Sequence, residues 1–120
     1  MQVTRYSEAK PYEAPEHYGM ACLRLQGKEA TETDTIWIGL SHLLPGGHTS
    51  LKDAAVEKLY VVVAGEVTVE TPTGSVTLGY LDSCRLAPGE ARALVNRSNR
   101  PASILLAMPT WSISETGASR

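Results

Sequence analysis

At 120 residues, with 42% hydrophobic and 20% charged side chains, the chain has the size and composition of one globular domain. Two domains would each be too small to bury a core, and general disorder, collagen-like repeats and low complexity are excluded. Eleven basic residues against thirteen acidic leave a formal charge of −2, which provides no cationic field for nucleic acid or anionic lipid.

No apolar run approaches the roughly 18 residues of a membrane span. The first twenty residues carry Lys10, Glu13 and Glu16 and are too polar for a signal peptide. A soluble cytoplasmic protein is expected, with neither nucleic acid nor membrane as partner. Cys22 and Cys84 are expected to be reduced, small strand residues. The absence of Phe requires an aliphatic core.

In chain order, residues 1–20, with Pro11, Pro15 and Gly19, read as an extended arm. No helical period is sustained, and β-rich stretches recur at 21–26, 35–44, 57–63, 66–71, 75–78, 83–86, 92–96 and 102–107. A polar loop, GKEATETD, fills 27–34. In 35–44 the set Ile36, Ile38, Leu40, His42 and Leu44 is the more apolar, so His42 is expected to face inward, while Trp37, Ser41 and Leu43 fall on a mixed face. Gly65 supplies a positive φ between two Val-rich strands, and Thr71-Pro72-Thr73-Gly74 closes the next hairpin. The barrel is expected over 21–111 and a tail over 112–120.

Pro45-Gly46-Gly47-His48, followed after a gap by Val56-Glu57-Lys58-Leu59-Tyr60-Val61-Val62-Val63-Ala64-Gly65-Glu66-Val67, resembles the first motif of the cupin superfamily. Leu86-Ala87-Pro88-Gly89-Glu90-Ala91-Arg92-Ala93-Leu94-Val95-Asn96 resembles the second. The resemblance implies a small single-domain cupin of the type 2 conserved-barrel kind. Its fold would be all-β, a double-sheet jelly-roll barrel with an extended N-terminal arm.

The first motif runs Gly, five residues, His, one residue, His, three or four residues, Glu, six residues, Gly. Its glycines fall on Gly46 and Gly65, and its ligand positions on Lys52, Ala54 and Lys58. The second motif puts Arg92 where a His is expected and keeps Asn96, while Leu81 and Ala87 replace the usual Gly and Pro. The four metal-ligand positions thus hold cations and a methyl group, so neither metal nor other cofactor is expected. A metal on non-family ligands drawn from His17, His42, His48 and Glu57 is the weaker alternative, because these lack the motif spacing.

The same register implies that Lys52, Lys58 and Arg92 point into the cavity, with Tyr60, Val62 and Leu94 on its walls. Converging cations need a counter-charge, either Asp53 or a small organic anion carrying a carboxylate or phosphate. Lys58 and Tyr60 are the candidate catalytic residues; Lys52, Arg92, His42 and Asn96 are the candidate substrate-binding ones. A metal-independent isomerase, dehydratase or decarboxylase suits this set. The alternatives are a non-catalytic ligand-binding or regulatory module and a degenerate barrel kept for assembly. Barrels of this family commonly pair, so a homodimer is expected, through the arm and the face of Trp37, Ser41 and Leu43.

Overall fold

The structure is a computed structural model that describes residues 1–110; the tail expected over 112–120 lies outside the described residues. Its strands are β1 (Lys10–Tyr12), β2 (His17–Gln26), β3 (Ile36–Thr49), β4 (Lys58–Ala64), β5 (Val67–Thr71), β6 (Gly74–Leu78), β7 (Ser83–Leu86), β8 (Ala93–Val95) and β9 (Ala102–Pro109). All pairings between these strands are antiparallel, in the order β6-β5-β8-β3-β9-β4-β7, with β2 also on β3 and β1 on β2. The first half of β3 pairs with β9 from Ile36↔Pro109 to Leu43↔Ala102, and its end meets β8 at His48↔Val95. One strand therefore crosses from one sheet to the other and closes the expected jelly roll.

The eight expected strands all form. The arm is more ordered than a simple extension. Lys10–Tyr12 folds back as β1 against Tyr12↔Cys22 and Lys10↔Arg24, and β2 already begins at His17.

The core is aliphatic, as the lack of Phe requires. Leu43, Val62, Val67 and Ile104 are fully buried, with Val69, Leu78, Leu86, Leu94 and the ring of Tyr60 packed around them. Each such side chain contributes on the order of 1.5–3 kcal/mol by leaving water. Asn96, also fully buried, is a knot of backbone satisfaction. Its Nδ2 donates to the carbonyls of Leu43 (3.1 Å) and Arg100 (2.7 Å), and its Oδ1 accepts from the Ser98 amide (3.0 Å) and hydroxyl (2.7 Å).

The face assignment on β3 is reversed from the sequence expectation. Trp37, Gly39, Ser41 and Leu43 are the buried set, whereas Ile36, Ile38, Leu40, His42 and Leu44 face outward. The reason is that both faces are partly apolar: the outward one is continued by Leu23, Leu105 and Val61 in one cross-strand row, and the inward one lines a cavity. Apolar count alone does not separate such faces. The Trp37, Ser41 and Leu43 face is thus interior and unavailable as a dimer contact.

Gly65 turns β4 into β5 at φ +69°, and a Cβ there would lie 2.7 Å from the Pro101 carbonyl oxygen and 3.0 Å from Ala102 Cα. Gly46 has φ +82° with open space around it. Gly65→Val is therefore expected to lower stability by about 1–3 kcal/mol in urea titrations. Gly46→Asn is expected to leave the midpoint unchanged, since Asn tolerates this conformation.

Candidate functional site

The inward faces of β2, β3, β9 and β4 form a wall whose residues are fixed by register. One row runs Arg24–Gly39–Leu106–Tyr60 across the four strands, and Lys58 follows Tyr60 at the next inward position of β4. The arm crosses in front through Tyr12, Glu13, Ala14 and Pro15, enclosing a cavity of about 330 Å³ with Lys58, Arg92, His17 and Trp37 among its lining residues. That volume is at the small end for organic-ligand sites.

Arg92, 7% exposed, is held from its backbone outward. Its amide and carbonyl exchange 3.0 Å hydrogen bonds with Lys52, and its Nη1 donates to the Lys52 carbonyl at 3.1 Å. Lys58 is mostly buried, and no acidic side chain lies within ion-pair distance of either Lys58 or Arg92 among the described residues. Burial first, and then the adjacent charges of Arg92 and Lys52, push the Lys58 amine down to about 8. Burial pushes the Tyr60 phenol up, with the Arg92 guanidinium acting the other way, so it is a neutral donor at pH 7.

Lys52 is placed differently from the other two cations. Its ammonium is solvent-exposed and paired with Glu16 at 3.1 Å in an adjoining cleft that also holds Asp53, and that pairing holds the Glu16 carboxyl below its ordinary value. The cavity thus brings together Lys58, Tyr60 and Arg92, with Lys52 serving Arg92 through its backbone.

Two expected binding residues lie elsewhere. His42 is on the outer face, its Nδ1 2.7 Å from Ser103 Oγ and its Nε2 3.0 Å from Tyr6 Oη; it fails to reach the cavity because β3 presents the opposite face there. Asn96 spends its amide on the backbone contacts described above and holds the barrel together rather than lining the cavity.

Several cavity residues had been given other roles or none: His17 was expected only among non-family metal ligands and Trp37 in a dimer face, while Tyr12 and Arg24 had no expected role. His17 lines both spaces, and its Nδ1 donates to the Pro15 carbonyl at 2.7 Å, which leaves Nε2 as the lone-pair nitrogen. Burial, reinforced by Arg92 and Lys58 and opposed by that carbonyl, lowers its pKa and keeps it neutral. Trp37, Tyr12 and Arg24 form a second cluster. The Arg24 guanidinium carbon is 3.6 Å from the centroid of the Tyr12 ring and 4.4 Å from that of Trp37. Nothing local in the sequence marks these, because arm and strand meet only through long-range pairing.

Among the described residues no three His, Cys, Asp or Glu side chains come together as a metal site. The positions corresponding to the family's ligands, Lys52, Ala54, Lys58 and Arg92, do not fit a divalent ion: an alkyl group and cations have no lone pair to offer. No helix among the described residues is long and apolar enough to cross a membrane.

No sequence-family model matches the chain. The chain is 42% identical over 106 residues, 88% of its length and 91% of the other, to a Mycobacterium tuberculosis protein named beta-D-galactosidase Rv1717. In structure it superposes on the polyketide cyclase RemF from Streptomyces resistomycificus with a TM-score of 0.84 at 16% identity, covering 93% of this chain and 81% of that one. It superposes on a cupin-2 domain from Rhodospirillum rubrum with a TM-score of 0.77 at 11% identity (93% and 77%). A cupin-superfamily sugar phosphate isomerase from Silicibacter pomeroyi gives 0.68 at 23% identity (76% and 59%). The chain belongs to one family with this mycobacterial protein and has the cupin fold. The motif glycines Gly46 and Gly65 both take a positive φ in this barrel, while the motif's ligand positions hold Lys52, Ala54, Lys58 and Arg92.

The depressed Lys58 pKa sets a pH signature. Below pH 8 the native state carries the full cost of a charged, unpaired Lys58. Between about 8 and 10.5 the native state has released that proton while the unfolded chain still holds it, so stability rises with pH. Lys58→Met should therefore be more stable than the parent at pH 7, by up to about 3 kcal/mol. Melting curves from pH 7 to 11 should show the advantage vanish above about 10.5.

Proposed function

We propose that this cupin binds a small organic anion, through a carboxylate or phosphate, in its cavity without a metal and acts on it as an isomerase, dehydratase or decarboxylase. The observation that carries this reading is that Lys58 and Arg92 face the cavity with no acidic side chain in ion-pair reach among the described residues. A charge so desolvated needs a partner, and a ligand supplies it. Arg92 grips the anion through its guanidinium edge and Lys58 adds a point charge.

The chemistry follows from the neighbours. His17 offers a neutral Nε2 as base, Lys58 moves a proton near neutral pH, and the Tyr60 phenol donates to a developing oxyanion. Fixed positive charge favours a transition state that gains negative charge, as in proton removal beside a carboxylate or loss of carbon dioxide. A sugar phosphate isomerase among cupins of similar fold is in keeping with this.

A second reading is favoured by one observation, the 42% identity to a protein named beta-D-galactosidase: hydrolysis of a β-galactoside in the same cavity. Cleavage needs a proton donor to the glycosidic oxygen and an activated water. Protonated Lys58 and the wall residue Glu13 are the groups available for those roles.

Titration calorimetry with pyruvate should give binding that is strongest below pH 8 and falls as pH rises through 8, because the anion prefers charged Lys58. Lys58→Ala and Arg92→Ala should each weaken it about tenfold or more, roughly 1.4 kcal/mol. Undiminished affinity in both variants would overturn the anion reading. Release of nitrophenol from its β-galactoside, lost in Lys58→Ala and Glu13→Gln but not on chelation, would establish the second reading in its place.

The homodimer, on this reading, forms through the outward apolar face of Ile36, Leu40, Leu59 and Leu105. Ile36 and Leu59 are 48% and 45% exposed. Light scattering should give a dimer at micromolar concentration and a monomer for Leu40→Glu, whose charge would be desolvated at the contact; a monomeric parent would refute it.

A further inference from the structure

The cavity has two ends, and the reading above uses only one. At the other, Arg24 on β2 is fixed on several sides. Its Nε donates to Glu29 at 2.7 Å, and the rings of Tyr12 and Trp37, edge-on to one another at 87°, form a corner that the guanidinium fills. Its side chain is only 15% exposed, and the two Nη groups have no protein acceptor among the described residues. The corner depends on Gly39: a Cβ there would lie 2.7 Å from the Trp37 ring and 3.3 Å from Tyr12 Oη. Burial holds the Tyr12 phenol up to about 12, so its hydroxyl is a second neutral donor beside Arg24. Lys28 lines the same end.

The separation of the ends follows from the sheet. Arg24 and Tyr60 share a cross-strand row with β3 and β9 between them, three strand spacings or about 14 Å along the backbone surface. Arg24, Lys58 and Arg92 nonetheless line one continuous cavity, whose wall includes the apolar side chains of Leu106 and Met108.

Resting on the anion reading, we infer that the ligand is two-headed: one acidic group is held by Lys58 and Arg92, and a second oxygen-acceptor group is bound by the Nη groups of Arg24, with a short stem between. Arg24 is thereby the specificity-determining residue for ligand length. Because Glu29 already balances its charge, it selects by directed hydrogen bonds more than by net charge. A purely structural Arg24, tying the arm to the 27–34 loop, would affect stability and not the choice between ligands.

The test crosses two probes with three variants of the full chain, by NMR titration with thermal melts as folding controls. Adipate spans both ends and acetate only one. Arg24→Gln should cost adipate about tenfold in affinity and leave acetate unchanged, whereas Arg92→Ala should cost both about tenfold. Arg24→Lys keeps the stem and the charge but lacks the planar fork; it should remain folded and still lose the preference for adipate. Equal losses for the two probes in Arg24→Gln, or none, would overturn the inference while leaving the anion reading standing. Failure of the parent protein to bind either probe would overturn both.

Discussion

Turning Lys58 and Arg92 into an aliphatic barrel sets the terms for everything around them. Each loses hydration, and among the described residues no carboxylate lies within ion-pair distance of either; Glu16 pairs with Lys52, Glu29 with Arg24 and Glu57 with Arg85. The protein holds Arg92 with backbone carbonyl rather than with a charge, which orients the guanidinium without neutralising it. The cost appears in the lowered Lys58 pKa and is offset by the core of Leu43, Val62, Val67 and Ile104 farther along the same barrel interior. It is this uncompensated charge on which the proposed anion reading rests.

How much of this was legible in the sequence depends on which contacts set each position. Lys58 and Tyr60 do line the cavity, as the resemblance to the cupin motif implied: the motif supplied the strand face, and period-2 alternation carries that face from Lys58 to Tyr60. Arg92 was fixed by the second motif and by the bridge that carries it to Lys52. His42 was misplaced because apolar count was used as a proxy for inwardness on a strand whose inner face lines a polar cavity and whose outer face is a continuous apolar surface. Asn96 was read at the right place in the motif but for the wrong task. A side-chain amide that closes a turn and one that binds a ligand look alike until their partners are known. His17, Tyr12, Arg24 and Trp37 were beyond reach for a different reason: they meet only after the arm has paired with β2 and β2 with β3.

The near-neutral overall charge looks different once the positions are known. A formal −2 hides an interior that is locally positive beneath an exterior where Lys52, Arg85 and Arg97 are largely spent in exposed ion pairs. Exposed pairs of this kind contribute little to stability, on the order of 0–1 kcal/mol each. Lys58 and Arg92 have no acidic partner among the described residues, and burial lowers the local dielectric around them, which strengthens their field inside the cavity.

The same field discriminates between the two chemistries considered. Glycoside cleavage passes through a sugar ring that gains positive charge, and enzymes that perform it place carboxylates against that ring. Two fixed cations beside the reacting carbon would oppose such a transition state, and Glu13, on the side of the cavity formed by the arm, would have to outweigh both. Proton removal beside a carboxylate, by contrast, builds negative charge where Lys58 and Arg92 already stand, and His17 offers a base whose lone pair the same cations keep free of its proton. A galactoside carrying its own acidic group would reconcile the two: its acid would neutralise Lys58 and Arg92 on binding, removing the repulsion before the glycosidic bond is strained. On the proposed anion reading, charge compensation by the ligand would come before any chemistry in this cavity, whichever bond is finally broken.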